Sequence, residues 1–244
     1  LIVKTLHGVE ELLANELGEL GAVAIAPERR AVVCEADMRT LYRICLESRF
    51  ALRVLIEVVK CNPKNDKELY AAVHSFPWHE YISPDHLLYI DHITFSSIWN
   101  NSKFLAMKAK DAIVDEINEV CGRRPSISSE NFDILLNIHA SDEEISLALD
   151  ASRTTLNRRG YRTSQPQQAT NEVLAAALVE LSGWTDDMPL YDPMCGVGTI
   201  CIEAAMKARH IPANYYRKEP FGFALWKNFD EALWQEVRGE AESK

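Results

Sequence analysis

No apolar stretch in this 244-residue chain reaches the roughly 18 uncharged positions that a bilayer-crossing helix needs, because charge interrupts each one first. No membrane span is expected. The chain also lacks an opening basic stretch followed by an apolar segment, so secretion is not expected; it begins at Leu1 rather than Met, and a short leader can precede it. Glycine and proline are few, 10 of each, which excludes collagenous and low-complexity chains. Cys-x-x-Cys is absent. The six cysteines (Cys34, Cys45, Cys61, Cys121, Cys195 and Cys201) are scattered without His partners, a pattern that predicts a reduced cytoplasmic protein with small apolar thiols. Nor do the seven histidines form an H-x-x-x-H or H-E-x-x-H pair, so no metal site is expected.

What is present suffices for a packed core: 47% of residues are hydrophobic and 25% charged. At about 100 to 200 residues per domain, the length predicts two units. Lys and Arg number 26 against 36 Asp and Glu, a formal net charge of -10.

Val9, Leu12, Leu13, Leu17 and Leu20 fall on one helical stripe that Gly21 ends. Ala22–Ala26 and Ala31–Glu35 are β-compatible runs flanking Pro27-Glu28-Arg29-Arg30. Asp37 can cap a second helix carrying Leu41, Ile44 and Cys45, and Phe50–Val59 reads as a strand. The order β-α-β-β-α-β is that of a ferredoxin-like unit. After the break at Asn62–Asp66 come a short helix (Lys67–Ser75), an apolar run (Leu87–Phe95) and a long helix from Asn101 to Cys121. Leu105, Ala109, Ala112, Ile113, Ile117 and Val120 share one face of that helix, with Lys103 and Lys110 opposite. Two strands, Phe132–Ala140 and Glu144–Asp150, close this second α+β unit. Ser164–Gln168 is polar, uncharged and proline-bearing, the expected linker. Beyond it a helix (Asn171–Ser182), a short strand (Pro189–Asp192), a glycine turn (Pro193–Thr199) and a helix (Ile200–Arg209) follow in the order in which a parallel α/β sheet begins. A charged tail runs from Phe229. Trp78, Trp99, Tyr81 and Phe95 read as core or hairpin residues, and His79-Glu80 as an exposed turn.

The sharpest chemical signal is Asp192-Pro193-Met194-Cys195-Gly196-Val197-Gly198-Thr199, followed by Ile200-Cys201-Ile202-Glu203-Ala204-Ala205. Two glycines allow close approach of a ligand to the backbone, and the following helix start offers free N–H groups. A dinucleotide site would show G-x-G-x-x-G and a P-loop G-K-S/T; neither is here. The run closely resembles the first S-adenosylmethionine motif of class I RNA and DNA amino-group methyltransferases, D-P-x-C-G-S-G-T-I-x-I-E-A, with Val197 in place of the usual Ser. The likeness extends to Asn171–Ala177, Leu181-Ser182-Gly183-Trp184, Phe221-Gly222-Phe223, Trp226, Phe229 and Asp230. Towards the N-terminus it includes Asn101–Phe104, Lys108–Asp115 and Leu156–Arg162. Together these resemble the bacterial THUMP-domain methyltransferases that modify the exocyclic amine of a guanine in large-subunit (23S) ribosomal RNA.

The resemblance implies a ferredoxin-like unit over residues 1–60, a THUMP domain over 61–152, a basic loop and linker over 153–170, and over 171–244 the beginning of a Rossmann-like α/β methyltransferase domain. It implies S-adenosylmethionine as cofactor, with Asp192, Pro193, Cys195, Gly196, Gly198 and Thr199 lining its methionine end. RNA is the implied partner, touched by Lys103, Lys110, Arg153, Arg158, Arg159 and Arg162. An acidic chain can do this locally: residues 1–150 hold 15 Lys and Arg against 24 acids, residues 151–244 hold 11 against 12, and no acid falls between Ala151 and Gln168. Such a cationic loop can neutralise phosphates, and Tyr161 can stack on an unpaired base.

The family's N-P-P-Y-type motif, which holds the target amine, is absent. The one Asn-Pro, Asn62-Pro63, precedes Lys64. No catalytic residue is therefore assigned, and the C-terminal domain reads as incomplete, since one parallel strand does not make a sheet. A noncatalytic THUMP RNA-binding module and a transfer-RNA guanine methyltransferase stay open as other readings.

Overall fold

A computed structural model describes residues 1–162 and 169–243. The elements in chain order are β1 (Ile2–Lys4), α1 (Glu10–Glu19), β2 (Val23–Glu28), β3 (Ala31–Glu35), α2 (Met38–Glu47), β4 (Arg53–Cys61) and α3 (Asp66–His74). They continue with β5 (Leu87–Thr94), α4 (Ser102–Cys121), β6 (Ser126–Ile127), β7 (Ile134–Ser141), β8 (Glu144–Asp150), α5 (Glu172–Leu181), α6 (Thr199–Ala208) and α7 (Glu231–Glu242). Packing divides the chain into two compact units: Leu1–Val54 with Thr154–Pro220 and Asp230–Lys244, and Leu55–Arg153 with Phe221–Phe229.

In the first unit β3 lies between β1 and β2, antiparallel to both. Leu52 donates its N–H to the Lys4 carbonyl, setting the start of β4 beside β1 and completing the ferredoxin-like arrangement. The amphipathic stripe is realised: Val9, Leu13, Leu17 and Leu20 are buried. Asp37 caps α2 by accepting the Thr40 N–H, and Leu41, Ile44 and Cys45 point inward. One boundary differs from expectation, because β2 runs through Pro27, which pairs with Val32. The turn itself is Arg29-Arg30, with Arg30 at φ 61°. An edge strand pairs on one side only, so a residue without an N–H is tolerated there.

The later segments of this unit are helical. Asn171 caps α5, which packs against α6. The charged tail expected from Phe229 is the helix α7, capped by Asp230 and packed on α2, with Trp234 edge-on to Tyr42 at 5.8 Å between ring centroids. The strand expected over Pro189–Asp192 does not form. A strand requires a neighbour to complete its hydrogen bonds, and among the described residues none pairs with it.

Glu10 ties the start of α1 to the β2–β3 turn. Its carboxylate accepts the N–H groups of Arg30 (2.9 Å) and Gly8 (2.6 Å), which hold its pKa down at about 2. A folded-state pKa below the unfolded one stabilises the fold above the ordinary carboxylate range, and that contribution disappears as pH falls through the folded value. Glu10→Gln is therefore expected to unfold at lower urea than wild type near neutral pH, with the gap closing between about pH 4.5 and pH 2. A gap that does not change with pH would show that the charge plays no part.

In the second unit β4 pairs antiparallel with β8 and β8 with β7, while β5 runs parallel to β7 and to β6. α3 and α4 pack together, and α4 also packs on β5. The α4 helix starts where Asn101 accepts the Phe104 N–H and stops at Gly122, φ 70°. Leu105, Ala109, Ala112, Ile113 and Ile117 are buried as expected, but Val120 is 58% exposed, so the last turn projects past the core. Phe221–Phe229 belongs to this unit: the Phe223 N–H donates to the Ala151 carbonyl and the Lys227 N–H to that of Tyr81. Among the described residues no helix is long and apolar enough to cross a membrane.

Candidate functional site

The glycine turn is built as a short nest at the start of α6. Asp192 Oδ1 accepts the Met194 N–H at 3.1 Å and the Cys195 carbonyl accepts the Gly198 N–H at 2.8 Å. Gly196 (φ 54°) and Gly198 (φ 77°) are both left-handed, a region that costs an L-residue about 1–2 kcal/mol. A Cβ at either would meet nothing within 4 Å, so the glycines serve backbone conformation and the concave side stays open. Gly198 is the N-cap of α6 and supplies no side-chain cap, which leaves the helix's first N–H groups for an anionic ligand. Cys195 and Met194 are exposed; Thr199 is buried. Cys195, like the other five cysteines, is not part of a disulfide.

The turn is held from behind by the segment that reads in sequence as a basic loop. Arg162 forms an ion pair with Glu172 (3.0 Å), and donates to Thr199 Oγ1 (2.7 Å) and to the Thr170 carbonyl (2.6 Å). Asn157 Nδ2 donates to the second Glu172 oxygen at 3.2 Å. One guanidinium thus fixes both the start of α5 and the first residue of α6. Arg159 is fully buried: it donates to the carbonyls of Ser48, Arg49 and Leu156, and its Nε lies 3.6 Å from Glu203 Oε1 in α6. Tyr161 donates its hydroxyl to the same Glu203 oxygen at 2.9 Å, and burial raises the phenol well above its usual pKa. Arg49 donates to the Ile211 (2.7 Å) and Met206 (3.2 Å) carbonyls at the far end of α6. Glu16 accepts the Arg49 N–H and the Ser48 hydroxyl, while burial pushes its carboxyl upward.

These positions sort the six cations proposed for RNA. Arg158 is exposed, Arg162 supports the glycine turn, and Arg159 is sealed in the core. Its guanidinium is bonded to three carbonyls and closed off from solvent, so burial removes Arg159 from the RNA-facing set. Arg153 donates to the Phe132 carbonyl. In the second unit Lys103 is exposed on α4 and Lys110 pairs with Asp111 at 2.6 Å. Tyr161 is likewise engaged rather than free to stack. His79 is a part-buried partner of Glu116 instead of an exposed turn residue, and Phe95 is exposed while Trp78 is core. The linker Ser164–Gln168 lies outside the described residues. Sequence reasoning passed over Glu203, Glu172 and Arg49. The available signal for Glu203 was its place with Thr199 and Met206 on one buried stripe of α6, where an acid needs a partner. Among the described residues no cluster of three or more His, Cys, Asp or Glu could hold a metal ion.

The chain thus joins a ferredoxin-like unit, an α+β unit with a mixed sheet, and a left-handed glycine turn that opens a helix. Three family models match successive stretches: the RlmL ferredoxin-like domain over residues 1–55, the THUMP domain over 63–150, and the RMKL-like methyltransferase domain over 159–244. The chain belongs to the THUMP-domain methyltransferases of this RMKL-like family, and carries the ferredoxin-like domain, the THUMP domain and the start of the methyltransferase domain. It is 37% identical over 231 residues to "Putative RNA methyltransferase slr0064" of Synechocystis sp. (strain ATCC 27184 / PCC 6803 / Kazusa), covering 95% of this chain and 60% of that protein. A crystal structure described as "a predicted N6-adenine-specific DNA methylase from Listeria monocytogenes str. 4b F2365" superposes with TM-score 0.90 at 29% identity, over 99% of this chain and 63% of that one. The structure of "SMU.472, a putative methyltransferase complexed with SAH" superposes at 0.87 with 28% identity and the same coverage. The chain thus spans about three fifths of the length of these relatives.

Proposed function

We propose that the whole protein transfers a methyl group from S-adenosylmethionine to the exocyclic amine of a guanine in 23S ribosomal RNA, with the THUMP domain holding the RNA. The observation that carries this reading is the Gly196–Gly198 turn on an uncapped α6, fixed from behind by Arg162. The names of the relatives support its parts: one is called an RNA methyltransferase and another was crystallised with SAH, the demethylated product of this cofactor. The Listeria protein's name points instead to adenine in DNA; the THUMP domain favours RNA, and both readings share an exocyclic amine as acceptor.

When bound, the cofactor supplies an electrophilic methyl group on a sulfonium. In this chain the first N–H groups of α6 would hold its amino-acid carboxylate, with Asp192, Pro193, Cys195, Gly196, Gly198 and Thr199 around the methionine end. Arg162 keeps Thr199 Oγ1 in place. Rate would come from positioning a flipped-out base rather than from a covalent adduct. No described residue is given the role of holding the target amine, and the 244-residue chain alone is expected to turn over nothing.

The test is labelled methyl incorporation into unmodified ribosomal RNA by the full-length protein, with nucleoside analysis of the product. Incorporation at guanine N2 is expected. It should fall at least tenfold in Gly198→Leu, because the left-handed φ costs a side chain about 1–2 kcal/mol and the leucine fills the open side of the turn. Label in adenine, or in transfer RNA only, would overturn the substrate; a fully active Gly198→Leu would overturn the site.

A further inference from the structure

We propose that the first unit carries an RNA-contact site of its own, separate from the THUMP domain: a cationic recess that grips the phosphodiester of an unpaired strand beside the cofactor turn. That the ligand is RNA rests on the function proposed above; the recess itself rests on geometry. Two segments far apart in sequence meet here, 158–162 and 217–219, around a cavity of about 190 Å³. They meet backbone to backbone. A Cβ on Gly160 would lie 2.1 Å from the Tyr216 carbonyl oxygen, so the absence of a side chain at residue 160 is what lets Arg158 and Lys218 face one cavity.

Apart from the buried Arg159, four cations and two carboxylates line the recess, in a chain of net charge -10. The carboxylates are already engaged: Glu172 by Arg162 and Asn157, Glu219 by the Thr154 hydroxyl at 2.8 Å. Arg158 and Lys218 are exposed, and neither has an ion pair among the described residues. Arg217 is set beside them by donating to the oxygens of Thr154 and Thr155. Arg162 lines the recess with one side and donates to Thr199 with the other. A phosphate seated there lies one side chain away from the first residue of α6.

Next in chain, Tyr215 and Tyr216 are each 45% exposed and stand edge to face, 5.1 Å between centroids. Exposed rings beside a cationic recess suit unpaired bases, whose faces are open to stacking, better than a duplex, whose faces are covered.

The test uses the full-length protein and a fluorescein-labelled single-stranded RNA of mixed sequence, about one dozen nucleotides long, read by anisotropy across a salt series. Arg158→Ala/Lys218→Ala should weaken binding about tenfold and flatten the slope of log Kd against log salt by about 1.4, two phosphate contacts' worth. Tyr215→Ala/Tyr216→Ala should weaken binding without changing the slope, and a hairpin of equal length should feel either change less. Thermal midpoints of both variants report whether the fold is intact. An unchanged affinity and slope in a folded Arg158→Ala/Lys218→Ala variant overturns the proposal. So does full competition by low-millimolar inorganic phosphate, which would mark a small-anion site. Strand binding that persists without methyl transfer would sink the proposed activity and leave the recess; methyl transfer with an unchanged slope would do the reverse.

Discussion

Gly160→Ala is expected to destabilise the first unit by roughly 3 kcal/mol or more, a drop in thermal midpoint on the order of 10 °C. Two effects add. Gly160 sits at φ 91°, which strains any side chain by about 1–2 kcal/mol. The new methyl would also lie 2.1 Å from the Tyr216 carbonyl oxygen, 2.6 Å from its carbon and 2.9 Å from Arg217 Cα. Those atoms are backbone, so no rotamer change relieves the overlap and the 215–217 segment must move, at a further cost of about 1–3 kcal/mol. Gly8→Ala is the internal control, since Gly8 has φ 85° with nothing within 4 Å and should show the backbone strain alone. Equal losses in the two variants, measured by urea unfolding, would mean that the two segments do not touch as described.

Glu203→Leu should be comparably severe, about 3–5 kcal/mol, because it leaves the guanidinium of Arg159 buried without its counter-charge and strips the Tyr161 hydroxyl of its acceptor. Both side chains are 0% exposed, so water cannot take over either role. Glu203→Gln keeps an acceptor for Tyr161 and removes only the charge, and should lie between Leu and wild type. Chemical denaturation of the three proteins gives the order directly. If Leu and Gln are equally mild, the Arg159–Glu203 contact carries little and the three carbonyls on Arg159 suffice. Because α6 begins at the glycine turn, loss of this anchor should loosen the turn as well.

Much of the local structure was legible. Asp37 caps α2 as expected, α4 and α5 begin after Asn101 and Asn171, each of which accepts a backbone N–H from the first turn, and the stripe on α4 is buried apart from Val120. β7 and β8 pair as an antiparallel hairpin close to the two strands expected over Phe132–Ala140 and Glu144–Asp150. These signals lie within a few residues of what they determine. Pro27 shows the limit: its type marks a turn, yet an edge strand accepts it, and which strand is the edge is decided by pairing.

Apart from α7 and Pro189–Asp192, the chain's own order of residues determined the element types, the helix starts, the glycine turn before α6 and the family likeness that the turn carries, because caps, periodicity and glycine conformations are set by neighbours in sequence. The tertiary structure decided what the charges do. Arg158, Arg159 and Arg162 are alike as letters within five positions, yet one faces solvent, one is locked to carbonyls 110 and 111 residues away, and one braces the glycine turn. Coulomb energy and desolvation depend on what lies within a few ångströms, and for these three arginines those atoms come from α6, from the stretch after α2 and from the start of α5. The same reason governs Pro189–Asp192, whose sequence suits a strand but whose hydrogen bonds need a partner that only the assembled sheet can provide.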